Sequence, residues 1–282
     1  MPALVIATCE QYPALPNNLQ PLAELLAQDF QLSIRPWQQI QMADVVLPLC
    51  AWDYAQMPEQ FRTWLNQLVA QGTRFPNSVR LMQWNMHKWY LCDLRDWGVN
   101  VIPSLYLAQP TEALIYQAMQ QQGWYTAVIK PAIGQSGRLV QKITQNQPLS
   151  RLAEYGEVLL QPYIPEVAEV GETSLIFFNG NFSHAIRRQP QAGDFRANSA
   201  YGVQISAQSV DENIISQALN VLSKLPEKTG YARVDGTIIG DQFLLNELEL
   251  IEPALYLDQA VGSAERFANA LKSCIYDINQ GK

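Results

Sequence analysis

Histidine is nearly missing from this 282-residue chain: His87 and His184 are the only two. They stand too far apart in sequence to frame a typical zinc site. Cysteine is scarce as well. Cys9, Cys50, Cys92 and Cys274 are scattered, with no C-x-x-C pair, and a chain of this size does not need disulfide staples. We read them as reduced thiols of a cytoplasmic protein. Basic residues are outnumbered, 19 Lys and Arg against 26 Asp and Glu, for a formal charge of −7 and a pI near 4.9. That excludes the basic footprint of a nucleic-acid binder. No Lys/Arg cluster offers a membrane anchor, and no apolar run approaches the roughly 18 residues of a membrane helix. The start, "MPALVIATCEQYP", lacks the positive n-region of a signal peptide. Neither a Walker A motif nor a G-x-G-x-x-G fingerprint occurs, and no Ser/His/Asp or Cys/His constellation is evident.

What is present describes a globular protein with room for about two domains, 48% hydrophobic and 16% charged. The first third alternates strand and helix: strands at 3–7 and 44–50, helices near 19–29 and 58–72. This pattern predicts a parallel sheet with ligands at the carboxyl ends of its strands, where "ATCEQ" (7–11) and "CAWDY" (50–54) form loops. A helix is expected over 85–97, a strand over 100–104, a helix capped by Thr111 over 111–123, and strands over 125–131 and 156–166. Asn179-Gly180 marks a hairpin within 174–188. The segment 191–202 reads as a polar loop. Ser209 to Glu212 reads as a capping box opening a helix over 210–224, and a last helix is expected near 263–278.

The chemistry concentrates in a second hairpin, "YARVDGTIIGDQFLLNELELIEP" (231–253), which turns at Gly240-Asp241. Glu247 and Glu249 share one face of its second strand, Leu248 and Leu250 the other. Such alternation also describes the wet face of a half-buried sheet. However, Asp235 interrupts the partner strand, where β-propensity disfavours aspartate, and Glu252-Pro253 prolongs the acidic series. A turn of odd length would set Asp235 opposite Glu247 and bring three carboxylates together. That cluster would repel itself without a cation, and an all-oxygen set favours Mg²⁺ or Mn²⁺ over zinc. A strictly two-residue turn would put Asp235 and Glu247 on opposite faces. Upstream, Lys130 ends an apolar strand beside the loop Ala132-Ile133-Gly134-Gln135-Ser136-Gly137. A lysine next to free backbone N–H groups can hold phosphate oxygens, although a plain turn has the same composition.

Taken in order, these parts resemble the ATP-grasp superfamily, in the branch of glutathione synthetase and the ribosomal-protein glutamate ligase. The likeness spans about 85–253. It rests on "HK" (87–88), "VIKP" (128–131), the glycine loop, "LLQPYIPE" (159–166), "GET" (171–173), "AIRRQPQAGDFRAN" (185–198), "RVD" (233–235) and "ELELIEP" (247–253). The stretches "TCEQYP", "AWDY" and "WNMHKWYL" extend it toward a smaller group that includes the cycloserine-forming ligase. The resemblance implies an α/β protein of ATP-grasp architecture. A small N-terminal parallel α/β substrate domain (1–84) would precede two α+β subdomains that clasp ATP, a lid (85–157) and a C-terminal part (158–282).

It implies roles as well. Lys88, Lys130, Gly134, Ser136 and Gly137 would meet the ATP phosphates. Gln161, Pro162, Tyr163 and Ile164 would form the hinge beside adenine, where only the carbonyl of Pro162 is needed. Glu172 would reach the ribose. Asp235, Glu247 and Glu249 would hold Mg²⁺ or Mn²⁺. Arg188 would face the transferred phosphoryl group and Arg233 the developing oxyanion, with Arg196 and Asn198 in a loop that closes over both. Arg187 should point to the opposite face. Two departures stand out. The family's third metal ligand is usually Asn, here Glu249. The basic and glycine residues that follow "GDFRSN" in the ribosomal-protein ligase are replaced here by Ser199, Ala200, Tyr201 and Val203, against an acidic peptide substrate. The expected activity is ADP-forming ligation of a small-molecule carboxylate to an amine through an acyl phosphate. A small-molecule kinase or a non-catalytic nucleotide-binding protein on the same fold are the alternatives. Relatives often form a homodimer, which no feature of this sequence shows. The strand-end residues Thr8, Glu10, Trp52, Asp53 and Tyr54 are where a substrate pocket is expected.

Overall fold

The structure is a computed structural model that describes residues 1–198 and 201–280; Ser199 and Ala200 lie outside the described residues. It begins with β1 (Ala3–Thr8), α1 (Gln20–Leu26), β2 (Gln31–Pro36), β3 (Val45–Leu47) and α2 (Pro58–Ala70). The three strands pair in parallel in the order β2-β1-β3. The apolar run of β1 is continuous because both of its faces are covered. Leu4 and Ile6 pack with Leu22 and Leu26 of α1, whereas Val5 and Ala7 pack with Phe61, Leu65 and Leu68 of α2.

The chain continues through α3 (Val79–Asn85), α4 (Tyr90–Asp96), β4 (Leu105–Leu107), α5 (Glu112–Gln122), β5 (Thr126–Pro131), β6 (Gln141–Thr144), β7 (Val158–Pro162) and α6 (Pro165–Glu169). Strands β4-β7-β5-β6 form an antiparallel sheet. Ile115 and Met119 of α5 pack on its Ala127, Ile129, Val158 and Leu160. Thr111 caps α5 as expected, accepting from the Leu114 N–H, and Gly123 ends it in the left-handed region. This sheet includes β7, so it extends past residue 157.

The last part contains β8 (Glu172–Phe178), β9 (Asn181–Gln189), β10 (Gln204–Gln208), α7 (Glu212–Ser223), β11 (Tyr231–Ile239), β12 (Gln242–Glu249) and α8 (Ser263–Gln280). Its antiparallel sheet runs β10-β9-β8-β11-β12. Asn179 and Gly180, both at positive φ, make the expected two-residue turn between β8 and β9. Phe267 of α8 stacks on Phe178 at 4.5 Å, joining this sheet to the N-terminal core. No helix among the described residues is long and apolar enough to cross a membrane.

Several expectations are corrected. Of the helix expected over 85–97 only α4, from Tyr90 to Asp96, is helical, and α3 ends where that span begins, at Asn85. Between them the Lys88 N–H leaves the helical ladder and donates to the Ala132 carbonyl at 2.8 Å. The strand expected over 100–104 is a single bridge, Val101 to Leu245. Pro103 has no N–H to continue a ladder, and β4 forms only beyond it. The helix expected over 210–224 starts at Glu212 with Asp211, not Ser209, at its N-cap, while Val210 packs on the core. Strands β2, β6 and β10 were not expected at all.

The decisive correction concerns β11 and β12. Their turn is strictly two residues, with Ile239 paired to Gln242. Continued regularly, that register would put Asn246 opposite Asp235. Instead the pairing shifts between Asp235 and Gly236, so Gly236 faces Leu245 and Asp235 faces Glu247. Asn246 is the extra residue of a β-bulge. The odd count arises inside the strand rather than in the turn, and the glutamates fall on the face of Asp235 after all.

Candidate active site

The bulge gathers the charged residues. Asp235, Glu247 and Glu249 each offer a carboxylate oxygen, and these atoms lie within 4.8 Å of one another. All three donors are hard oxygens of like charge, which fits a hard divalent cation. Glu252 lies outside that group. The guanidinium of Arg233 from β11 bonds Asp235 through Nε (2.9 Å) and Nη2 (2.9 Å), and also bonds Glu249. Arg188 from β9 reaches Asp235 at 2.8 Å and pairs with Glu172. Glu172 and Arg188 stand opposite each other in the β8–β9 register. Ser174 donates to Asp235 at 2.6 Å. Arg187 points to the other face, toward Gln189.

Two lysines complete the cluster, Lys88 between α3 and α4 and Lys130 on β5. Lys88 Nζ bonds Glu247 at 2.7 Å and the Gly134 carbonyl at 2.9 Å. Its segment is tied by the Lys88 N–H and by His87 Nε2 against Glu157 at 2.8 Å. Lys130 Nζ donates to Asn246 Oδ1 at 2.7 Å, and the Asn246 amide donates in turn to Glu172. Asn246 is therefore both the bulge residue and the link between Lys130 and Glu172. Sequence reasoning missed it; the available signal was an asparagine inside an apolar strand, where propensity disfavours it.

The electrostatics follow from burial and pairing. Burial alone would raise the Asp235 carboxyl, but Arg188 and Arg233 hold it below its ordinary value. Burial likewise opposes ionisation of Glu247, and Lys88 and Lys130 bring it down. Desolvation lowers Lys130 and raises Glu172. Burial lifts Glu249 to about 7, with Arg233 opposing and the Asp235 and Glu247 charges adding. A raised carboxyl stabilises the fold fully below its ordinary 4.5 and loses that contribution as pH rises through about 7. Glu249→Gln, whose amide does not titrate, should therefore gain stability relative to the parent between about pH 5 and about pH 8. The ceiling is about 3 kcal/mol, lowered by solvent screening because the side chain is 26% exposed. Urea unfolding in chelator at the two pH values checks this. A constant difference would mean that Glu249 stays ionised throughout.

The remaining expected residues frame a cleft around this cluster. Gly134, Ser136 and Gly137 form one wall, and Gln161, Pro162, Tyr163 and Ile164 another. The Gln161 side chain is buried and donates to Ser104 Oγ at 2.9 Å, while Lys142 sits 3.5 Å over the Tyr163 ring. Ser136 and Gly137 are consecutive left-handed residues (φ 54 and 69). A Cβ on Gly137 would stand 2.6 Å from Asn198 Oδ1, so only glycine lets this loop meet the 191–198 segment. Arg196 and Asn198 line the cleft. The Arg196 guanidinium is engaged by Asp194 at 2.7 Å and lies 3.5 Å over Tyr201; that bond holds the Asp194 carboxyl down at about 2. Arg188 Nε is buried without a hydrogen-bond partner, a donor suited to an anionic oxygen.

A second, larger cleft of about 1040 Å³ adjoins the first. It is bordered by Gln11, Tyr12, Trp52 and Gln56 of the N-terminal part and by Arg233, Glu252 and Tyr256. Of the strand-end residues expected there, Trp52 lines it, whereas Asp53 is spent on Trp37 (2.6 Å) and Gln38 (2.7 Å). Arg188, Asn198, Glu249 and the glycine loop border both clefts.

Comparison with known proteins agrees with this geometry. Residues 97–257 match the family model "Prokaryotic glutathione synthetase, ATP-grasp domain", and residues 4–77 match "D-cycloserine synthetase DcsG, N-terminal domain". The cycloserine biosynthesis protein DcsG of Streptomyces lavendulae is 30% identical over 240 residues, 78% of this chain and 79% of that protein. A glutathione synthetase of Prochlorococcus marinus is 38% identical over 85 residues, 28% of this chain and 27% of that one. The crystal structure of D-cycloserine synthetase DcsG superposes with a TM-score of 0.84 at 27% identity, covering 97% of this chain and 99% of that chain. The D-alanine–D-alanine ligase of Bacillus anthracis complexed with ATP shares the fold, with a TM-score of 0.68 at 15% identity over 98% and 97% of the two chains.

Proposed function

The chain belongs to the ATP-grasp family and is an ATP-dependent ligase of the ADP-forming carboxylate–amine class, and from that premise we propose its chemistry: it joins a small-molecule carboxylate to an amine-type nucleophile through an acyl phosphate. One observation carries the reading. The two clefts open onto the same guanidinium–carboxylate cluster, with Arg188 on the border of both. A nucleotide in the first can therefore meet a carboxylate in the second.

Asp235, Glu247 and Glu249 would hold Mg²⁺ or Mn²⁺, which when bound offsets charge on the phosphate oxygens. Lys88 and Lys130 supply positive charge to the nucleotide phosphates, and Arg188 presents its free Nε to the group in transfer. Gln161 to Ile164 flank the base, and Glu172 faces the sugar side. The substrate carboxylate oxygen forms a bond to the γ-phosphorus as the bond to the ADP oxygen breaks. The amine then adds to the acyl carbon and loses a proton, and the C–O bond to phosphate breaks. Arg233, on the border of the second cleft, steadies the oxyanion in that step. The proposed bodies are 1–84, a lid that begins at 85 and takes in β7 so that it runs past 157, and the remainder of the chain, with cytoplasmic thiols free.

Incubation with ATP, Mg²⁺, candidate carboxylic acids and hydroxylamine should give acyl hydroxamate together with ADP. AMP as product would overturn the mechanism. A stable phosphorylated acid formed without any dependence on amine would make the protein a kinase.

A further inference from the structure

Strand β12 carries Glu247 and Glu249 at the edge of its sheet, with β11 on its inner side. An edge strand leaves a row of backbone N–H and C=O groups that must find partners elsewhere. The outer edge of β12 is met differently on the two sides of the bulge. Before it, the outward peptide groups belong to Phe243 and Leu245. The Leu245 N–H donates to the Asn100 carbonyl and the Leu245 carbonyl accepts from the Ile102 N–H, both at 2.9 Å. Gln217 accepts from the Phe243 N–H (2.8 Å), and the Asn100 amide donates to the Phe243 carbonyl (3.1 Å). Beyond the bulge the outward groups belong to Leu248 and Leu250, and among the described residues only side chains meet them. Tyr90 Oη accepts from the Leu248 N–H (2.9 Å). Asn85 Nδ2 donates to the Leu248 carbonyl (2.8 Å), and Asn85 Oδ1 accepts from the Leu250 N–H (3.0 Å). Asn77 donates to the Leu250 carbonyl (2.7 Å) and to that of Tyr231 (2.9 Å), so it serves two strands.

The outward positions change from odd to even across Asn246 because the bulge adds one residue. Without it the alternation would run on to Glu247 and Glu249, and Leu248 and Leu250 would turn their peptide groups toward β11. Asn85 distinguishes the two registers. Its side-chain amide takes the carbonyl of one residue and the N–H two residues on, as a residue of a neighbouring parallel strand would. Those groups face outward at 248 and 250 only when the bulge is present. Asn85, Tyr90, Leu248 and Leu250 are all buried, so a peptide group left without its partner here is not readily resatisfied by water. Between Asn85 and Tyr90 in the chain stands Lys88, bonded to Glu247 at 2.7 Å. One short segment therefore grips the backbone of β12 from both sides of Lys88, and Lys88 grips one of its carboxylates.

We infer that Asn85 and Tyr90 are positioning residues that pin β12 in its bulged register and thereby set Glu247 and Glu249 beside Asp235 to receive a divalent cation. The consequence for the cation rests on the proposed function; the register does not. Neither residue supplies an oxygen to the ion. They act through the backbone of Leu248 and Leu250, as outer partners that orient the groups which do.

The test uses the full chain. Asn85→Ala should raise the Mg²⁺ concentration for half-maximal phosphate release by about 10- to 100-fold, while KM for ATP at saturating Mg²⁺ stays within about threefold. Calorimetric Mn²⁺ titration of the nucleotide-free protein should weaken by the same factor. Amide hydrogen exchange should quicken at Leu250 by about tenfold or more and stay unchanged at Leu245. Tyr90→Phe keeps the ring and removes only the acceptor for the Leu248 N–H. It should weaken Mn²⁺ in the same direction by a smaller factor and quicken exchange at Leu248, and it decides the matter should Asn85→Ala not fold. Asn100→Ala removes a bond to the outer edge on the other side of the bulge. It should lower stability yet leave the Mg²⁺ response and the Mn²⁺ titration at parental values. The inference is overturned if Asn85→Ala and Tyr90→Phe keep parental Mn²⁺ affinity. It is also overturned if Asn100→Ala weakens Mn²⁺ as much as they do, since lost stability would then explain the effect. No phosphate release from the parent with any acid defeats the ligase reading alone, because Mn²⁺ binding and exchange need no turnover. A parent that binds no Mn²⁺ defeats the cation reading, and unchanged exchange at Leu250 in Asn85→Ala overturns the register pin whether or not a cation binds.

Discussion

Asp235→Asn is expected to lower ATP-dependent phosphate release by about 10²- to 10³-fold and to destabilise the fold by about 3–5 kcal/mol. The two losses have different origins. Asp235 is fully buried and is the one carboxylate shared by Arg188 and Arg233. An amide has nearly the same shape but no charge. Arg188 keeps Glu172 and Arg233 keeps Glu249, while the charge between them is gone. Removing one partner from a buried ionic group costs far more than the pair contributes. The catalytic loss is expected from the proposed cation site, since one of its three oxygens becomes a neutral donor or acceptor. Guanidinium unfolding reads the first effect. Calorimetric Mg²⁺ titration of the nucleotide-free protein, at a temperature where the variant is folded, reads the second. Near-parental phosphate release with an unchanged Mg²⁺ titration would remove Asp235 from the site.

The sequence carries the fold unevenly, and the reason is visible in the sheets. Strands covered on both sides, such as β1 and β8, are written as apolar runs and were legible. Strands β2, β6 and β10 each sit at a sheet edge. Apart from Pro36 and Ile143 their side chains are half-exposed or exposed, so "QLSIRP", "QKIT" and "QISAQ" carry no hydrophobic period that separates them from loops. The break between α3 and α4 was hidden for another reason. "NMHKWYL" has helical composition, and only the distant Ala132 carbonyl and Glu247 carboxylate explain why Lys88 leaves the helix.

Asp235 was legible as a residue type that strands disfavour, whereas Arg188 and Arg233 were placed by the family resemblance. The convergence of the three carboxylates was legible only as a condition on parity. The condition was met by a route that composition does not reveal. "NELE" supplies the bulge at its first residue, and the same asparagine then bonds Lys130 and Glu172. Arg196 shows the reverse case. The loop that carries it was recognisable, but its guanidinium is engaged by Asp194 and Tyr201, which lie within the loop itself.

Gly236→Ala is the substitution that tests whether this bulge holds the site together. Gly236 is where the β11–β12 register shifts, and a Cβ there would stand 2.5 Å from the Leu244 carbonyl and 2.5 Å from the Phe243 ring. The first of these is backbone in a paired strand and cannot swing away. The sheet must therefore part locally or lose the bulge. Losing it would bring Asn246 opposite Asp235 and turn Glu247 and Glu249 toward the core, where Leu248 and Leu245 now sit fully buried. The expected outcome is a loss of about 1–3 kcal/mol in unfolding free energy, together with a loss of Mg²⁺-dependent activity that persists well below the unfolding temperature. Gly240→Asn is the matched control. Gly240 lies in the turn at φ +63 with nothing within 4 Å of a built Cβ, and asparagine tolerates that backbone region, so stability and Mg²⁺ response should stay close to the parent. A Gly236→Ala protein with the parent's unfolding midpoint and Mg²⁺ titration would show that this close approach does not set the register on which the cluster depends.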